Sequence, residues 1–231
     1  FVRSKLSDEW VITLTGGEPL YYPNIERLIV ELCKTNRVVI TTNASLVRSK
    51  LKLLDIDRSR IYFRVGFHPE FRNIKTFEEC MRFIIKNKFK YVINYVAHPQ
   101  YYENSCDLYT KHLEFLNSNG YLYEITAFEG NYNGKIYPTP RPIRSEIEKN
   151  LFGDYDKFSI NKSVMGSSFI MCEPNGKIYE CHGKEKELGD VYSNNLNLER
   201  VIHKGCFSFT GCNASKSANT YLDLLLGDRL A

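Results

Sequence analysis

Residues 11–20, Val-Ile-Thr-Leu-Thr-Gly-Gly-Glu-Pro-Leu, constrain the fold most, because an apolar run ends there in two glycines, a carboxylate and a proline. A buried parallel strand is a continuous apolar run, and ligands in parallel α/β folds bind at the carboxyl ends of strands. Gly16 and Gly17 carry no Cβ, so a ligand can approach their backbone N–H and C=O groups. Pro19 stiffens the exit from the turn. These residues taken alone favour an ordinary strand-to-helix turn, and the sequence that follows them shifts the interpretation toward a ligand site.

Further apolar runs begin at residues 38, 61, 91 and 121, and this spacing is that of a repeated βα unit. The segments between them carry apolar residues at helical intervals. Helices are predicted over 22–36, 45–54, 74–89 and 107–119, with Ser45 as a possible cap of the second. The fold class is therefore α/β, with a twisted parallel sheet or partial barrel whose carboxyl ends share one mouth.

The chain has the composition of a globular protein: of its 231 residues, 43% are apolar and 25% charged. The net charge of +4 is spread without a block of one sign, which argues against a nucleic-acid partner. No apolar run approaches the roughly 18 residues of a membrane span, and no signal peptide is visible. A cytoplasmic location without a membrane partner is expected.

Four of the seven cysteines lie close together in the last third of the sequence: Cys172, Cys181, Cys206 and Cys212. An odd count without a secretory signal argues against a disulfide framework. The scattered Cys33, Cys80 and Cys106 are interpreted as ordinary thiols.

Cys172 and Cys181 flank a predicted hairpin over 169–181 with a Pro-Asn-Gly turn, and two more cysteines follow. Four such thiolates suit an iron-sulfur cluster. Zinc remains an alternative, but the eight, 24 and five intervening residues do not form the two close pairs usual in zinc sites. A hairpin whose cysteines merely pack is the third interpretation.

The Thr-Gly-Gly-Glu-Pro turn at 15–19 and the Thr-Thr-Asn-Ala segment at 41–44 resemble the radical S-adenosylmethionine (radical SAM) enzymes. The resemblance covers residues 11 to about 129 and implies a partial (β/α)6 TIM-like barrel. It implies that the glycine turn holds the methionyl amino group through backbone carbonyls and the glutamate, while later strand ends contact the carboxylate, ribose and adenine. The residues assigned to the cofactor are Gly16, Gly17, Glu18, Pro19, Thr42, Asn43, His68, Asn94 and Phe128.

The sequence departs from the family because it lacks the three cysteines, separated by three and two residues, that hold the family's [4Fe-4S] cluster. Only fifteen residues precede Gly16, whereas that loop should lie roughly 30 residues upstream. The first strand, the cluster loop and part of the first helix are therefore expected upstream of Phe1. The alternative is a relative that has lost the cluster.

The C-terminal hairpin, with the Leu188-Gly189 segment after it, resembles the SPASM or twitch extensions that hold auxiliary iron-sulfur clusters. This implies one auxiliary cluster on the four C-terminal cysteines. The expected organisation is a radical SAM-like partial barrel over 1–130, a linker and short helix over 131–152, and an auxiliary-cluster domain over 153–231.

The resemblance implies reductive cleavage of S-adenosylmethionine to a 5′-deoxyadenosyl radical, which takes a hydrogen atom from a peptide or small-molecule substrate. The enzyme would be an oxidoreductase, or would modify peptides or metabolites, and would use an electron donor such as flavodoxin or ferredoxin. The alternatives are a non-catalytic relative or metal-binding scaffold, and an α/β enzyme with a structural zinc site.

Overall fold

The structure, a computed structural model, describes residues 11–69, 73–103, 107–128, 130–137, 171–179, 187–193 and 195–196. These residues fall into two units, one within Asp8–Leu151 and the other within Phe152–Ala231. No helix in the described part of the chain is both long and apolar enough to cross a membrane.

The first unit is built on a five-stranded parallel sheet whose strand order follows the order of the chain. Each strand pairs in parallel with the next, which confirms the α/β class and the five predicted strands. The strands are β1 (Val11–Leu14), β2 (Arg37–Thr42), β3 (Ile61–Phe67), β4 (Lys90–Ala97) and β5 (Tyr123–Ala127).

A helix lies between successive strands, as the apolar periodicity predicts, but each helix is shorter than predicted. The helices are α1 (Ile25–Cys33), α2 (Val47–Leu51), α3 (Ile74–Lys86) and α4 (Leu108–Ser118), with single 3-10 turns at Pro19–Tyr21, Arg58–Arg60 and Pro99–Tyr101. The prediction of Ser45 as a helix cap is wrong. Leu46 is the N-cap residue of α2, and the Ser45 hydroxyl instead donates to Asn43 Oδ1 at 2.6 Å.

The helices cover one face of the sheet, where alternate residues of β2, β3 and β4 enter a single hydrophobic core and Leu14 and Tyr123 of the edge strands pack against it. On β3, for example, Phe63 and Val65 are fully buried against helix residues that include Met81 and Ile84. The residues that alternate with these core positions form what we call the inner face of the sheet. Its polar residues include Thr13, Thr41, Arg64, Asn94, Glu124 and Thr126.

The segment after β5, predicted as a loop, begins with a hairpin of β6 (Gly130–Tyr132) and β7 (Lys135–Tyr137). Its turn is formed by Asn133 and Gly134, both at positive φ, 51° and 75°. An Asn-Gly pair is the strongest short hairpin signal, because a type I′ turn needs positive φ at both central residues. Because Pro138, Pro140 and Pro142 follow this pair, the segment was predicted as a loop instead of a hairpin. The short helix predicted before residue 152 lies outside the described residues.

Replacing Gly134 with alanine is expected to destabilise this hairpin by about 1–2 kcal/mol, the cost of left-handed backbone for an L-residue. A Cβ at Gly134 would meet no atom within 4 Å, so the effect comes from the backbone alone. Amide hydrogen exchange of residues 130–137 measures it, with Asn133→Gly as the variant that keeps the turn. Unchanged exchange in Gly134→Ala would contradict the turn assignment.

The second unit contains an antiparallel sheet with strand order β11, β10, β9, β8. Its strands are β8 (Met171–Cys172), β9 (Lys177–Tyr179), β10 (Glu187–Asp190) and β11 (Asn195–Leu196). The predicted hairpin around Pro-Asn-Gly is confirmed by the pairing of β8 with β9. Gly176 lies at φ 86°, and a Cβ there would come within 2.4 Å of the Tyr192 ring, so the turn requires glycine.

Candidate functional site

The glycine turn after β1 presents open backbone. Gly16 and Gly17 are exposed, and a Cβ built on either would meet nothing within 4 Å. Gly16 has φ +133°, a conformation that L side chains rarely adopt, so this position needs glycine for its backbone. A ligand can therefore reach the main-chain groups of the turn without displacing protein atoms.

Glu18 ties this turn to the end of β2. Its Oε1 accepts hydrogen bonds from Leu20 N at 3.1 Å and from Thr42 Oγ1 at 2.7 Å, and its Oε2 accepts from Asn43 N at 2.7 Å. We call Glu18, Thr42 and Asn43 the strand-end clamp. Hydrogen bonds to a carboxylate are stronger than those between neutral groups, so the clamp fixes the two loops relative to each other.

Thr42 extends the clamp into the β2 loop. Its side chain is 3% exposed, and its hydroxyl donates to Glu18 and accepts from Ala44 N at 2.9 Å. Ala44 is buried at φ 64°, a conformation that L-residues disfavour. The tertiary contacts of the clamp thus hold a locally disfavoured backbone in place.

His68 covers the end of β3. Gly66 lies on the inner face, and a Cβ there would stand 3.0 Å from His68 Nε2. The missing side chain thus gives the imidazole room to lie against the strand, and any larger residue at position 66 would displace it.

Asn94 belongs to a group that we call the inner-face network, together with Arg64, Glu124 and Thr126. Arg64 Nε donates to Glu124 Oε1 at 2.6 Å, and Arg64 Nη2 donates to Asn94 Oδ1 at 3.3 Å. Thr126 Oγ1 also donates to Asn94 Oδ1. Of these four residues, only Asn94 was among the predicted site residues. The signal for the others is polar residues at alternate positions of otherwise apolar strands.

Phe128 packs in an aromatic group after β5. Its ring centroid lies 4.3 Å from that of His98 and 6.2 Å from that of Tyr137. His98 Nδ1 accepts from Gln100 N at 3.2 Å, so this histidine also caps the 3-10 turn after β4. The hydroxyl of Tyr137 donates to Glu103, which links the β6–β7 hairpin to the loop after β4.

The sequence-predicted cofactor residues lie at or just after the carboxyl ends of the strands, except Asn94, which lies inside β4. Direct hydrogen bonds join Glu18 to Thr42 and Asn43, and Pro19 begins the 3-10 turn that follows. His68, Asn94 and Phe128 belong to separate groups of contacts farther along the sheet. Their roles in cofactor binding stay predictions.

Of the four predicted C-terminal metal ligands, the structure describes Cys172, which is an exposed free thiol on β8. Cys181, Cys206 and Cys212 lie outside the described residues. Within the described ranges, no three His, Cys, Asp or Glu side chains lie together in a way that could hold a metal ion. The auxiliary cluster stays a prediction.

Cys33 and Cys80 are buried in the core, which confirms that both pack as structural residues, while Cys106 lies outside the described residues. Burial raises the pKa of the Cys33 thiol to about 11. Cys172 is exposed, but partial burial and the carboxylates of Asp190 and Glu173 also raise its pKa.

We expect alkylation at pH 8 to label Cys172 well before Cys33 in the folded, metal-free protein. The thiolate is the reactive form of cysteine. Each unit by which the pKa of a thiol exceeds the working pH lowers its thiolate population about tenfold. Peptide mapping by mass spectrometry after timed iodoacetamide treatment measures both rates, with the urea-unfolded chain as the control in which they converge. Equal rates in the folded protein would contradict the burial of Cys33.

The solved structures with a similar fold include two of anSMEcpe. Polyhistidine-tagged anSMEcpe with bound AdoMet matches with a TM-score of 0.53 at 14% identity, covering 83% of this chain and 63% of that one. Native anSMEcpe with AdoMet and the Cp18Cys peptide matches with a TM-score of 0.50 at 15% identity, covering 91% of this chain and 76% of that one. No family model and no curated protein matches the sequence.

The protein in both structures is a radical SAM enzyme, so the described chain has a fold found in that class. At these identities the likeness concerns the fold alone. The chain spans 63% of the length of the first of these structures.

Proposed function

We propose that this chain belongs to a radical SAM enzyme and that the glycine turn after β1 binds S-adenosylmethionine. The observation that carries the proposal is the turn itself. Gly16 and Gly17 offer unobstructed backbone at the carboxyl end of a parallel strand, and a carboxylate immediately follows them. Ligands of parallel α/β folds bind at this edge.

The exposed backbone fits the methionyl end of the cofactor, because carbonyl oxygens accept hydrogen bonds from an ammonium group. Glu18 adds a negative charge beside this position, which favours a cation. Its oxygens already accept three hydrogen bonds from the protein. We therefore assign Glu18 mainly to holding the turn in a shape that is ready to bind, which lowers the ordering cost of association.

The remaining cofactor contacts are assigned to strand ends farther along the sheet. Asn43 follows β2, His68 follows β3, Asn94 lies on β4, and Phe128 follows β5. Phe128 offers an apolar ring for stacking, while Asn94 and His68 offer polar groups.

Two iron-sulfur sites complete the proposal. The ligands of the radical SAM [4Fe-4S] cluster are expected upstream of Phe1, and this cluster would supply the electron that cleaves the bound cofactor. Residues 153–231 would form the auxiliary-cluster domain, with Cys172, Cys181, Cys206 and Cys212 as ligands. An exposed thiol at Cys172, on a hairpin strand, is accessible to a metal.

The substrate is proposed to be a peptide or a small molecule. One solved structure with this fold contains a peptide beside AdoMet, which supports the peptide class. A cytoplasmic location and an electron donor such as flavodoxin or ferredoxin belong to the same proposal.

Gly17→Val provides the test. Its Cβ would meet no protein atom within 4 Å, and Gly17 lies outside the φ range that only glycine adopts readily, so the free energy of unfolding should change by no more than about 0.5 kcal/mol. The branched side chain would stand where the ligand approaches. We expect a loss of AdoMet affinity of about tenfold or more, measured by calorimetry on the anaerobically reconstituted full-length protein.

The same preparation of the unaltered protein should contain iron and sulfide and release 5′-deoxyadenosine with a reductant. Zinc without iron, together with no AdoMet binding, would identify an α/β protein with a structural zinc site instead. Binding of AdoMet without its cleavage would identify a non-catalytic relative.

A further inference from the structure

The inner-face network connects side chains from three neighbouring strands. Arg64 lies on β3, Asn94 on β4, and Glu124 and Thr126 on β5. Arg64 and Asn94 alternate with core residues of their strands, and Glu124 and Thr126 pair in register with Asn94 and Val96, so the network lies on the sheet face away from the helices. All four side chains are partly exposed, and a ligand on this face can reach them.

Two donors in the network converge on one oxygen. Arg64 Nη2 and Thr126 Oγ1 both donate to Asn94 Oδ1. Because the amide group is planar, fixing Oδ1 also fixes the direction of Nδ2. Among the described residues, Asn94 Nδ2 donates to no protein acceptor, so two oriented N–H donors remain for a ligand.

The network is close to electrically neutral, because Glu124 compensates the charge of Arg64 through a 2.6 Å ion pair. A neutral patch with oriented N–H donors suits an uncharged acceptor better than an anion or a cation. In S-adenosylmethionine the charges lie on the methionyl and sulfonium groups, and the adenosyl end is uncharged and rich in acceptor atoms. β4 lies three strand spacings from β1, roughly 14 Å at about 4.8 Å per spacing, which leaves room for an extended ligand between the two.

We propose that Arg64 and Thr126 are positioning residues that orient the Asn94 amide so that Nδ2 donates to the adenosyl end of the cofactor. The inference rests on the proposed function. Glu124 has a supporting part, because its ion pair holds the Arg64 guanidinium in the orientation that reaches Asn94.

Thr126→Val and Thr126→Ser test this inference in the reconstituted full-length protein. Valine keeps the shape of threonine but removes the hydroxyl donor, whereas serine keeps the donor. The probe is 5′-methylthioadenosine, which carries the adenosyl group without the methionyl group. We expect its Kd to rise about tenfold in Thr126→Val and to stay within about twofold of the unaltered protein in Thr126→Ser, since one oriented hydrogen bond contributes on this scale.

A spectroscopic measurement separates positioning from a general structural effect. With asparagine-selective 15N labelling, the Asn94 side-chain amide signal, assigned through its loss in Asn94→Asp, should shift when 5′-methylthioadenosine binds. The shift should shrink in Thr126→Val and return in Thr126→Ser. Thr13→Val is the matched control, because Thr13 lies on the inner face of β1 and has no bond to the network among the described residues.

The outcomes are distinguishable. If the unaltered protein binds AdoMet but Thr126→Val leaves both the Kd of 5′-methylthioadenosine and the Asn94 signal unchanged, the inference is wrong and the proposed function stands. Equal weakening in Thr126→Val and Thr13→Val would also overturn the inference. If the unaltered protein binds neither compound, the proposed function itself fails and the inference falls with it.

Discussion

Glu18→Ala should reduce both the stability of the protein and its affinity for S-adenosylmethionine. The change removes the acceptor of three hydrogen bonds and leaves Leu20 N, Thr42 Oγ1 and Asn43 N without this partner. Because the side chains of the clamp are partly or fully buried, we expect a loss of about 2–4 kcal/mol in the free energy of unfolding. This loss is measured by urea unfolding, with circular dichroism as the probe of the folded fraction.

The affinity for AdoMet should fall about 100-fold in the same variant, since both the charge beside the turn and the order of the turn are lost. Thr42→Val and Thr42→Ser form the matched pair that separates these two causes. Thr42→Val loosens the clamp but keeps the Glu18 charge, so its affinity for AdoMet should lie between those of Glu18→Ala and the unaltered protein. Thr42→Ser should bind AdoMet nearly as tightly as the unaltered protein. Full affinity in Glu18→Ala would refute the role assigned to the clamp.

Phe67→Ala should be the most destabilising single change that we predict, at about 3–5 kcal/mol. Phe67 is 3% exposed at the end of β3, and its ring centroid lies 4.9 Å from that of Phe77 and 5.6 Å from that of Phe115. It therefore joins the end of the strand to α3 and α4. Truncation would leave a cavity that these rings cannot close without moving.

Phe67→Leu is the control, because it keeps most of the apolar volume and should cost markedly less. Both variants are compared by urea unfolding, with the midpoint and the slope reported together. A loss below about 1 kcal/mol in Phe67→Ala would mean that the rings repack around the missing side chain, contrary to the close packing expected of a core.

The strands of the parallel sheet could be predicted well because the pattern that predicts each strand lies within a few consecutive residues. A short continuous apolar run favours a buried strand, and β3 begins at Ile61, the residue at which an apolar run was predicted to start. Helix ends were predicted less well, since they depend on capping contacts that apolar periodicity does not record. Asn43 illustrates this, because its side chain accepts from both the backbone and the hydroxyl of Ser45, which was the predicted cap.

The candidate site was predicted only in part, because its contacts are decided by register between distant strands. The glycine turn is visible as a local pattern. The bond between Glu18 and Thr42 joins residues 24 positions apart, and that between Arg64 and Glu124 joins residues 60 apart. A shift of one residue in either strand would place these side chains on the opposite face.

The sequential order of the five strands has a consequence for biosynthesis. Each new strand pairs with the one made just before it, so every pairing closes only about one βα unit of chain. Nascent polypeptide leaving the ribosome can therefore add one unit at a time to an existing edge, without waiting for distant segments to be translated. The residues that form the strand-end clamp would then meet once β2 has been synthesised, before β3, β4 and β5 have been made.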